Sequence, residues 1–549
     1  FSEGADPAGI AKITAAVESV EGVQLLGVDS GKATNRTVVT FVGAPEAVVE
    51  AAFRAICQAS LVIDMTRHRG EHPRLGATDV CPLIPVSGIT MEEAVGYARQ
   101  LGKRVAEELH IPVYLYGNAA RQVERKNLSN IRSGQYEGLA SKLADPAWAP
   151  DFGEPVFNPQ SGATVIGARD FLIAYNINLN TRSVRKANAV AFDVRENGRV
   201  RKERGKPVLD DTGHPERIPG SLREVKAIGW FIEEYGIAQV SMNLTNLEVT
   251  PLHVAFEETT RKAAERGLRV TGSELVGMIP LRCLVEAGKY FLKKQHQSAG
   301  ASETELVRMA VRSLGLDQLT PFDPSRKVIE YALAAGRPAD LSRLSLRDFL
   351  DELASESPAP GGGSVAALLG ALGASLGTMV ANLSAGRKGW EDRLEEFSGW
   401  AEKGQQLKDQ MLALIQRDTD AFQQILQARA LPREDPDQRS AREQAIESAT
   451  EASILVPLQV MQLSSGCFDL IDQMATQGNP HAVSDAGVAA LCARAAIQGA
   501  FFNVQINAAT FTEKFKASAW LSQAEALLEE ALVREKHILA QVSHRINYP

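Results

Sequence analysis

Two histidines four residues apart, His68 and His72, lie in the segment RHRGEHPRLGATDVCP, residues 67–82. Imidazole titrates near neutrality, so it is the side chain best suited to take a proton from a nucleophile at physiological pH. The segment can be neither a regular helix nor a clean strand. Pro73 confines His72 to extended or turn backbone, and Gly70 and Gly76 permit tight bends on both sides. A stiff polar loop between a strong helix and a strong strand is where a scaffold presents chemistry; its bland counterpart is a salt-bridged turn. A second cluster, RDTDAF at 417–422, holds two acids. A carboxyl whose pKa is lifted by burial can both deliver and remove a proton. Asp418 and Asp420 point about 200° apart on a helix, so only one can face a given pocket. Phe422, one turn after Asp418, is expected to share its face and raise its pKa. The stretch PAPGGGS at 358–364 offers the free amides of Gly361, Gly362, Gly363 and Ser364 at a helix start, or serves only as a tight entry to a buried helix. GVDSGKAT at 27–34 is not a phosphate loop: its glycine spacing is one residue short, and Ala33 stands where a hydroxyl would hold magnesium.

These residues need elements to place them. The first third alternates helical and strand periods with short joints. A helix at DPAGIAKITAAVESV is followed by strands at VQLLGVDS and RTVVTFVG, a helix at APEAVVEAAFRAICQAS, a strand at DVCPLIPV, a helix from Thr90 to His110 and a strand at PVYLYG. That pattern predicts an α/β sandwich with helices on one face of a mixed sheet, a ferredoxin-like unit. After a loop-rich stretch, 120–168, a second unit of similar size follows. It reads as a strand at DFLIAYNINL, a helix at EVKAIGWFIEEYG, a strand at AQVSMNL, a helix at PLHVAFEETTRKAAERG and a strand at RVTGSELVGMIP. Residues 321–344 read as a polar, Pro-punctuated linker with at most one short helix. Everything beyond 345 is helical, which predicts a helix bundle. The fold class is therefore α/β, two ferredoxin-like sandwich subdomains at 1–170 and 171–320, followed by an all-α bundle at 345–549.

The bulk numbers agree with this division. A chain of 549 residues exceeds one core. A net charge of −8 without a long basic run argues against nucleic acid as a partner. The cysteines at 57, 81, 283, 467 and 492 are odd in number and contain no CxxC pair. That points to a reducing, cytoplasmic setting and to neither a disulfide frame nor a metal site. The uncharged run VAALLGALGASLGTMVANL, 365–383, is long enough to span a bilayer. It is rich in Ala and Gly, and it lacks an aromatic belt and a basic flank, so a buried bundle helix is the better reading.

Residues 1 to about 325 resemble the formiminotransferase family. The resemblance rests on FSEG at 1–4, GVDSGKATNRTVVTFVG at 27–43, RHRGEHPRLGATDVCPLIPV at 67–86, GEPVFNPQSGATVIGARDFLIAYNINL at 153–179 and TGSELVGMIPL at 271–281. The C-terminal 205 residues resemble the cyclodeaminase and methenyl-tetrahydrofolate cyclohydrolase family through SPAPGGGSVAALLGALGASLGTMVANL, RDTDAF, SDAGVAA at 484–490 and FFNVQIN at 501–507. The two in this order resemble a fused bifunctional family. The resemblance implies two reactions on one carrier. The formimino group of N-formimino-L-glutamate passes to N5 of tetrahydrofolate, and 5-formimino-tetrahydrofolate then closes to 5,10-methenyl-tetrahydrofolate with loss of ammonia. A formyltransferase or cyclohydrolase variant of the same fusion, a folate-binding scaffold with dead sites, and a membrane-anchored C-terminal half are the competing readings. Tetrahydrofolate, with or without a polyglutamate tail, is the implied co-substrate, and no metal is expected. The implied assembly is a homo-oligomer of dimers in a ring.

The resemblance also implies roles. His72 falls where the family's catalytic His lies, with His68 as its competitor. Asp29 matches a family active-site Asp that would orient the base, or it only starts the turn before SGK. Arg36 and Arg74 are candidates for holding the carboxylates of the glutamate substrate. The stretch Gly153, Glu154, Pro155, Val156, Phe157, Asn158, Pro159, Gln160, Ser161 and Gly162 matches the folate-binding loop, in which an aromatic common near the loop's end is missing. Asp418 aligns with the family's catalytic Asp. Asn382, Asn503 and Asn507 are core hydrogen-bonders or pocket contacts.

Overall fold

The computed structural model describes residues 1–547 apart from 33, 71, 87, 212 and 336–339. Ala33, Glu71 of the GEHPR match and the centre of the 321–344 linker therefore lie outside the described residues. Packing divides the chain into two compact units, Phe1–Ala287 with Ala310–Gly336, and Gly288–Met309 with Arg337–Pro549.

The first unit begins with helix α1 (Pro7–Glu18), whose free amides at Ala8 and Gly9 are capped by the Asp6 carboxylate. Strands β1 (Val23–Gly31) and β2 (Arg36–Gly43) form an antiparallel hairpin that pairs Gly31 with Arg36 and so sets Arg36 at the strand's first position. Helix α2 (Pro45–Val62), strand β3 (Val80–Leu83), helix α3 (Met91–Leu109, opened by a Thr90–Glu93 capping box) and strand β4 (Val113–Gly117) follow. The short helices α4 (Leu128–Ile131) and α5 (Leu139–Leu143) precede β5 (Thr164–Ala168).

The ferredoxin-like expectation needs correction in this subdomain. β3, β5 and β4 form an all-parallel sheet with β5 in the centre, and the β1–β2 hairpin is a separate ladder. Strand β5 lies at the end of the stretch read as loop. Its run TVIGA is short and buried on both faces, so it has no alternation to betray it. Phe53, Ile56, Leu101, Val105 and Ile166 pack on one side of this region, and Leu75, Tyr114, Tyr116, Ile131 and Val165 on the other.

A buried ion pair ties the β4 end to the loop after α5. Arg125 is 2% exposed. Its guanidinium donates to Asp151 Oδ2 at 3.0 Å and to the carbonyls of Ala147 and Ala149. The same Asp151 oxygen accepts from Leu115 N at 2.8 Å. Removing one member leaves the other charge buried and unpaired. Arg125→Ala is therefore expected to destabilise this unit by about 3–5 kcal/mol, read as a lower midpoint in chemical denaturation.

The second subdomain keeps the expected topology by a different route. Strand β6 (Ile173–Leu179) leads into helix α6 (Val184–Val194). Four two-residue strands, β7 (Arg199–Val200), β8 (Lys202–Glu203), β9 (Lys206–Pro207) and β10 (Arg217–Ile218), follow in an exposed excursion. Then come β11 (Val225–Ile232), β12 (Ile237–Leu244), α7 (Leu252–Glu265) and β13 (Val270–Val276). The antiparallel sheet has the order β11-β12-β6-β13, the ferredoxin-like arrangement. EVKAIGWFIEEYG is thus strand β11 and its turn, not a helix. Val225, Ala227 and Gly229 face inward while Lys226 and Ile228 face out, a period of two. Helix α8 (Leu281–Lys294), helix α9 (Glu303–Leu314), helix α10 (Pro324–Lys327) and helix α11 (Ile329–Ala335) follow before the linker's centre; the stretch Gly288–Met309 of α8 and α9 belongs to the second unit. Among its described residues the linker holds two short α-helices and a 3₁₀ turn, Leu341–Arg343, where at most one short helix was expected.

The second unit is all helix. After α12 (Leu346–Leu353) it runs through α13 (Gly362–Ala385), α14 (Leu394–Ala430), α15 (Pro436–Gln477), α16 (Val483–Thr510) and α17 (Lys514–Asn547). Small residues along α13, among them Ala367, Gly370, Ala374 and Gly377, are buried and let neighbouring helices approach closely. The core gathers Met411, Ile415, Met461, Phe468, Ile471 and Ile497 around them. By length and composition α13, α15 and the run Pro480–Thr510 could each cross a membrane, and half or more of each apolar window is buried within this chain.

Candidate active sites

In the first unit the 65–79 loop is sewn down by backbone bonds. Met65 N donates to Gln160 O and Ala77 N to Ser161 O, at 3.0 and 2.9 Å. A Cβ on Gly76 would sit 2.3 Å from Ser161 O, so only glycine allows this approach. Asn35, at the end of the β1–β2 turn, donates from Nδ2 to Arg69 O at 2.7 Å. The hairpin and the loop thereby bring Arg36, His68, His72 and Arg74 around one narrow crevice, shared with Ser2, Thr34, Asn35 and Asp79.

The two histidines have different fates. His68 is 6% exposed, takes a bond from Arg74 Nε on Nδ1 and donates from Nε2 to Asn35 O. Both of its ring nitrogens are engaged in holding the loop. His72 accepts from Arg36 Nη1 on Nε2 at 2.8 Å, which places its proton on Nδ1, a buried atom without a hydrogen-bond partner among the described residues. Burial first, and then the charges of Arg36 and Arg132, push the His72 pKa down to about 4. It is neutral at pH 7.

The two candidate arginines differ in the same way. Arg74 is held bidentately by Glu137 at 2.7 and 2.9 Å. Its fork is filled by the protein's own carboxylate. Arg36 has no carboxylate partner among the described residues, and its buried Nε is unbonded. Asp29 stands elsewhere on β1, 3.3 Å from Lys327 Nζ, with no hydrogen bond to His72 among the described residues. The carboxylate that shares the crevice is Asp79, 1% exposed, which pairs with Arg132 and accepts from Leu75 N at 3.1 Å. Sequence reading missed Asp79 and Glu137. Asp79 was visible inside the histidine segment, but Glu137 carries no local signal and meets Arg74 only through folding.

The folate-type loop is divided by the fold. Gly153, Glu154, Val156, Phe157, Asn158 and Pro159 line a cleft of about 720 Å³ against Lys103, Glu107 and His110, while Pro155 is exposed. Gln160, Ser161 and Gly162 instead strap the histidine loop. Aromatic surface is available after all. Phe152 and Phe157 line the cleft, and the Tyr136 ring packs 5.5 Å from that of Phe157.

In the second unit Gly361 caps α13 and Ser364 occupies its first turn. Asp418 of α14 sits against that turn, with Ser364 Oγ 3.0 Å from Asp418 Oδ2 and 3.1 Å from Ile415 O. Burial raises the Asp418 pKa against the lowering effect of its bonds to Ser364. Ser364 has one hydroxyl proton for two acceptors. When it gives that proton to Ile415 O, its oxygen can accept from a protonated Asp418, an arrangement suited to a neutral carboxyl. Phe422 does not supply the desolvation, since it is 36% exposed; the α13 entry does. Asp420 is exposed and bonded by Gln416.

Asn503 of α16 donates to Gly499 O, and its Nδ2 lies 3.7 Å from where a Cβ on Gly362 would be. It therefore flanks the same entry. Asn507 donates to Ser453 O at 2.8 Å. That carbonyl is four residues before Pro457, which has no N–H to give it. Asn382 is about 27 Å along α13 from Ser364. It bonds Ser298 Oγ and Gly300 O.

A Cβ on Gly363 would fall 2.1 Å from Asp418 Oδ1. Gly363→Ala must displace the carboxyl. Chemistry in this unit is expected to fall by about 100-fold, with chemistry in the first unit unchanged; steady-state assays of each step check it.

Three family models match successive parts of the chain. Residues 1–169 match the formiminotransferase domain, N-terminal subdomain; residues 174–334 match the formiminotransferase domain; residues 345–526 match formiminotransferase-cyclodeaminase. The chain is 41% identical over 546 residues to the formimidoyltransferase-cyclodeaminase of Mus musculus, covering 99% of this chain and 98% of that protein. It is 40% identical over 293 residues to the glutamate formimidoyltransferase of Streptococcus pyogenes serotype M1, covering 53% of this chain and 91% of that one. Its helical part is 34% identical over 203 residues to the methenyltetrahydrofolate cyclohydrolase of Methylorubrum extorquens, covering 37% of this chain and 98% of that one. With both halves matched in order and nearly end to end, the chain belongs to the formimidoyltransferase-cyclodeaminase family.

Proposed function

We propose that the first unit moves the formimino group of N-formimino-L-glutamate to N5 of tetrahydrofolate. The second unit then closes 5-formimino-tetrahydrofolate to 5,10-methenyl-tetrahydrofolate and releases ammonia. The observation that carries this reading is one proton-handling group in each matched half. His72 is a neutral imidazole beside an uncompensated guanidinium, and Asp418 is a carboxyl whose pKa burial raises.

In the transfer, N5 attacks the formimino carbon, gives up a proton to His72, and the glutamate nitrogen departs with a proton. Arg36 binds a glutamate carboxylate. The cleft at 153–159 takes the flat ring system of the folate between Phe152 and Phe157. In the closure, N10 attacks the same carbon, Asp418 gives its proton to the amine so that ammonia leaves, and the carboxylate so formed takes the proton that N10 loses. Asn503 and the α13 entry hold the substrate beside it.

Supply of formiminoglutamate and tetrahydrofolate together, with glutamate, methenyl absorbance and ammonia followed in time, tests both steps at once. Folded enzyme that releases no glutamate refutes the transfer, and glutamate release without methenyl and ammonia refutes the closure. The setting we propose is the end of histidine degradation, in the cytoplasm, where the five free cysteines are stable. A polyglutamate tail on the folate would give the carrier extra negative charge for retention between steps. Leu372, Met379 and Leu383 on α13 and Val488, Leu491, Phe502 and Ile506 on α16 are exposed in the single chain. Apolar surface of this kind supports a homo-oligomer, dimers closed into a ring, in preference to a membrane.

A further inference from the structure

Three arginines and three carboxylate-or-imidazole partners meet around His72, and one pairing is anomalous. Arg74 is matched with Glu137 and Arg132 with Asp79. Among the described residues Arg36 has only a neutral ring nitrogen, His72 Nε2 at 2.8 Å. A guanidinium cannot be deprotonated here, so it donates and the imidazole accepts. The lone pair a base needs is therefore occupied. On the other side of the same guanidinium, the Nε–Nη2 edge receives no partner among the described residues, and Nε is buried. That edge is the fork that fits a carboxylate with two parallel bonds. Two buried polar atoms, Arg36 Nε and His72 Nδ1, thus have no partner among the described residues and border one narrow crevice, so hydrogen-bonding capacity is left there for a polar group.

We propose that Arg36 gates His72: a substrate carboxylate takes the Nε–Nη2 edge, draws the guanidinium off the imidazole, and so releases Nε2 to act as base only when substrate is in place. The proposal rests on the transferase reading. It deepens that reading by naming an anionic carboxylate as the trigger and Arg36 as both its receptor and the restraint on the base. Two parallel bonds to a carboxylate outweigh one bond to a neutral ring nitrogen, and a guanidinium turned to align its Nε–Nη2 edge with that carboxylate carries Nη1 away from Nε2. The other described groups facing His72 do not compete for the role. Asp79 is committed to Arg132, and His68 is fixed between Asn35 and Arg74.

The gate has a signature in the pH dependence of transfer. The base works unprotonated, so rate is lost as pH falls through its pKa. Burial and the Arg36 charge hold that pKa down at about 4 in this arrangement. A carboxylate that neutralises Arg36 raises it. The acid limb of kcat, which reports the substrate complex, is then expected at higher pH than the limb of kcat/KM, by about one pH unit or more. In Arg36→Gln the kcat/KM limb moves up toward the ordinary histidine value, the separation shrinks, and KM for formiminoglutamate rises by about 10- to 100-fold. Cyclisation of 5-formimino-tetrahydrofolate by the same preparation reports intact enzyme.

Limbs that coincide in the wild type while transfer is brisk overturn the gate and leave the transferase reading standing. A separation that survives Arg36→Gln overturns Arg36 as the gate. Absence of transfer by wild type at every pH overturns the reading beneath it. The wild-type comparison needs no variant, so a Gln enzyme that fails to fold does not protect the proposal.

Discussion

A His72→Ala enzyme is expected to lose formimino transfer by about 10²–10⁴-fold while it still closes 5-formimino-tetrahydrofolate at the normal rate. The loss should be this large because the described part of the loop contains no free substitute. His68 is four residues away, but Asn35 O and Arg74 Nε occupy both of its nitrogens, and freeing it would undo the loop itself. Asp79 is bound to Arg132. Water could replace the imidazole only as a far weaker base. The measurement is release of glutamate from formiminoglutamate with tetrahydrofolate present, beside ammonia release from separately supplied 5-formimino-tetrahydrofolate. Normal transfer by folded His72→Ala would remove the imidazole from the chemistry. Loss of both activities would contradict two separate sites.

The opposite dissociation is expected of Asp418→Asn. The amide keeps the volume of the carboxyl and can still meet Ser364 Oγ, so the α13 entry should stay packed. It cannot give a proton to a departing amine, and closure should fall by about 10²–10⁴-fold with transfer untouched. The sign of the pKa shift supports the acid role. Burial disfavours the carboxylate, so the protonated form persists to higher pH than in a solvated aspartate, whose pKa is about 3.9. Asp420→Asn is the matched control, because Asp420 is exposed and should leave closure within about twofold. A reversed ranking, with Asp420→Asn silent to transfer but fatal to closure, would move the proton to the other acid.

How much of this could be read beforehand varies element by element. The long helices of the second unit were legible because each carries an apolar stripe or an uninterrupted apolar run. The structure differs from the reading mainly at their ends. Strand β11 was misread because VKAIGWFI is continuously apolar apart from one lysine, and a short apolar run does not declare its own period. Its partner β12 settles it through eight paired residues. Helix α6 was passed over since its sequence, VRKANAVAFDV, mixes basic and small residues and gains its apolar face only against β11 and β12. Phe422 shows the limit of helical-wheel reasoning. It shares a face with Asp418, but which face is buried is decided by the neighbouring helix.

By itself the chain determined the residue types able to handle protons, the rigidity of the loop that carries His72, and the change from α/β to all-α texture. Each of these is a local property of composition and spacing. Only the tertiary structure decided that His68 is locked and His72 is not, that Arg74 is spent on Glu137 while Arg36 is free on one edge, and that Asp79 rather than Asp29 shares the histidine's crevice. Asn507 likewise belongs to Pro457's orphaned carbonyl and Asn503 to the entry of α13. The reason is physical: protonation and pairing depend on what charge and how much water lie within a few ångströms, and those neighbours come from residues tens to hundreds of positions away.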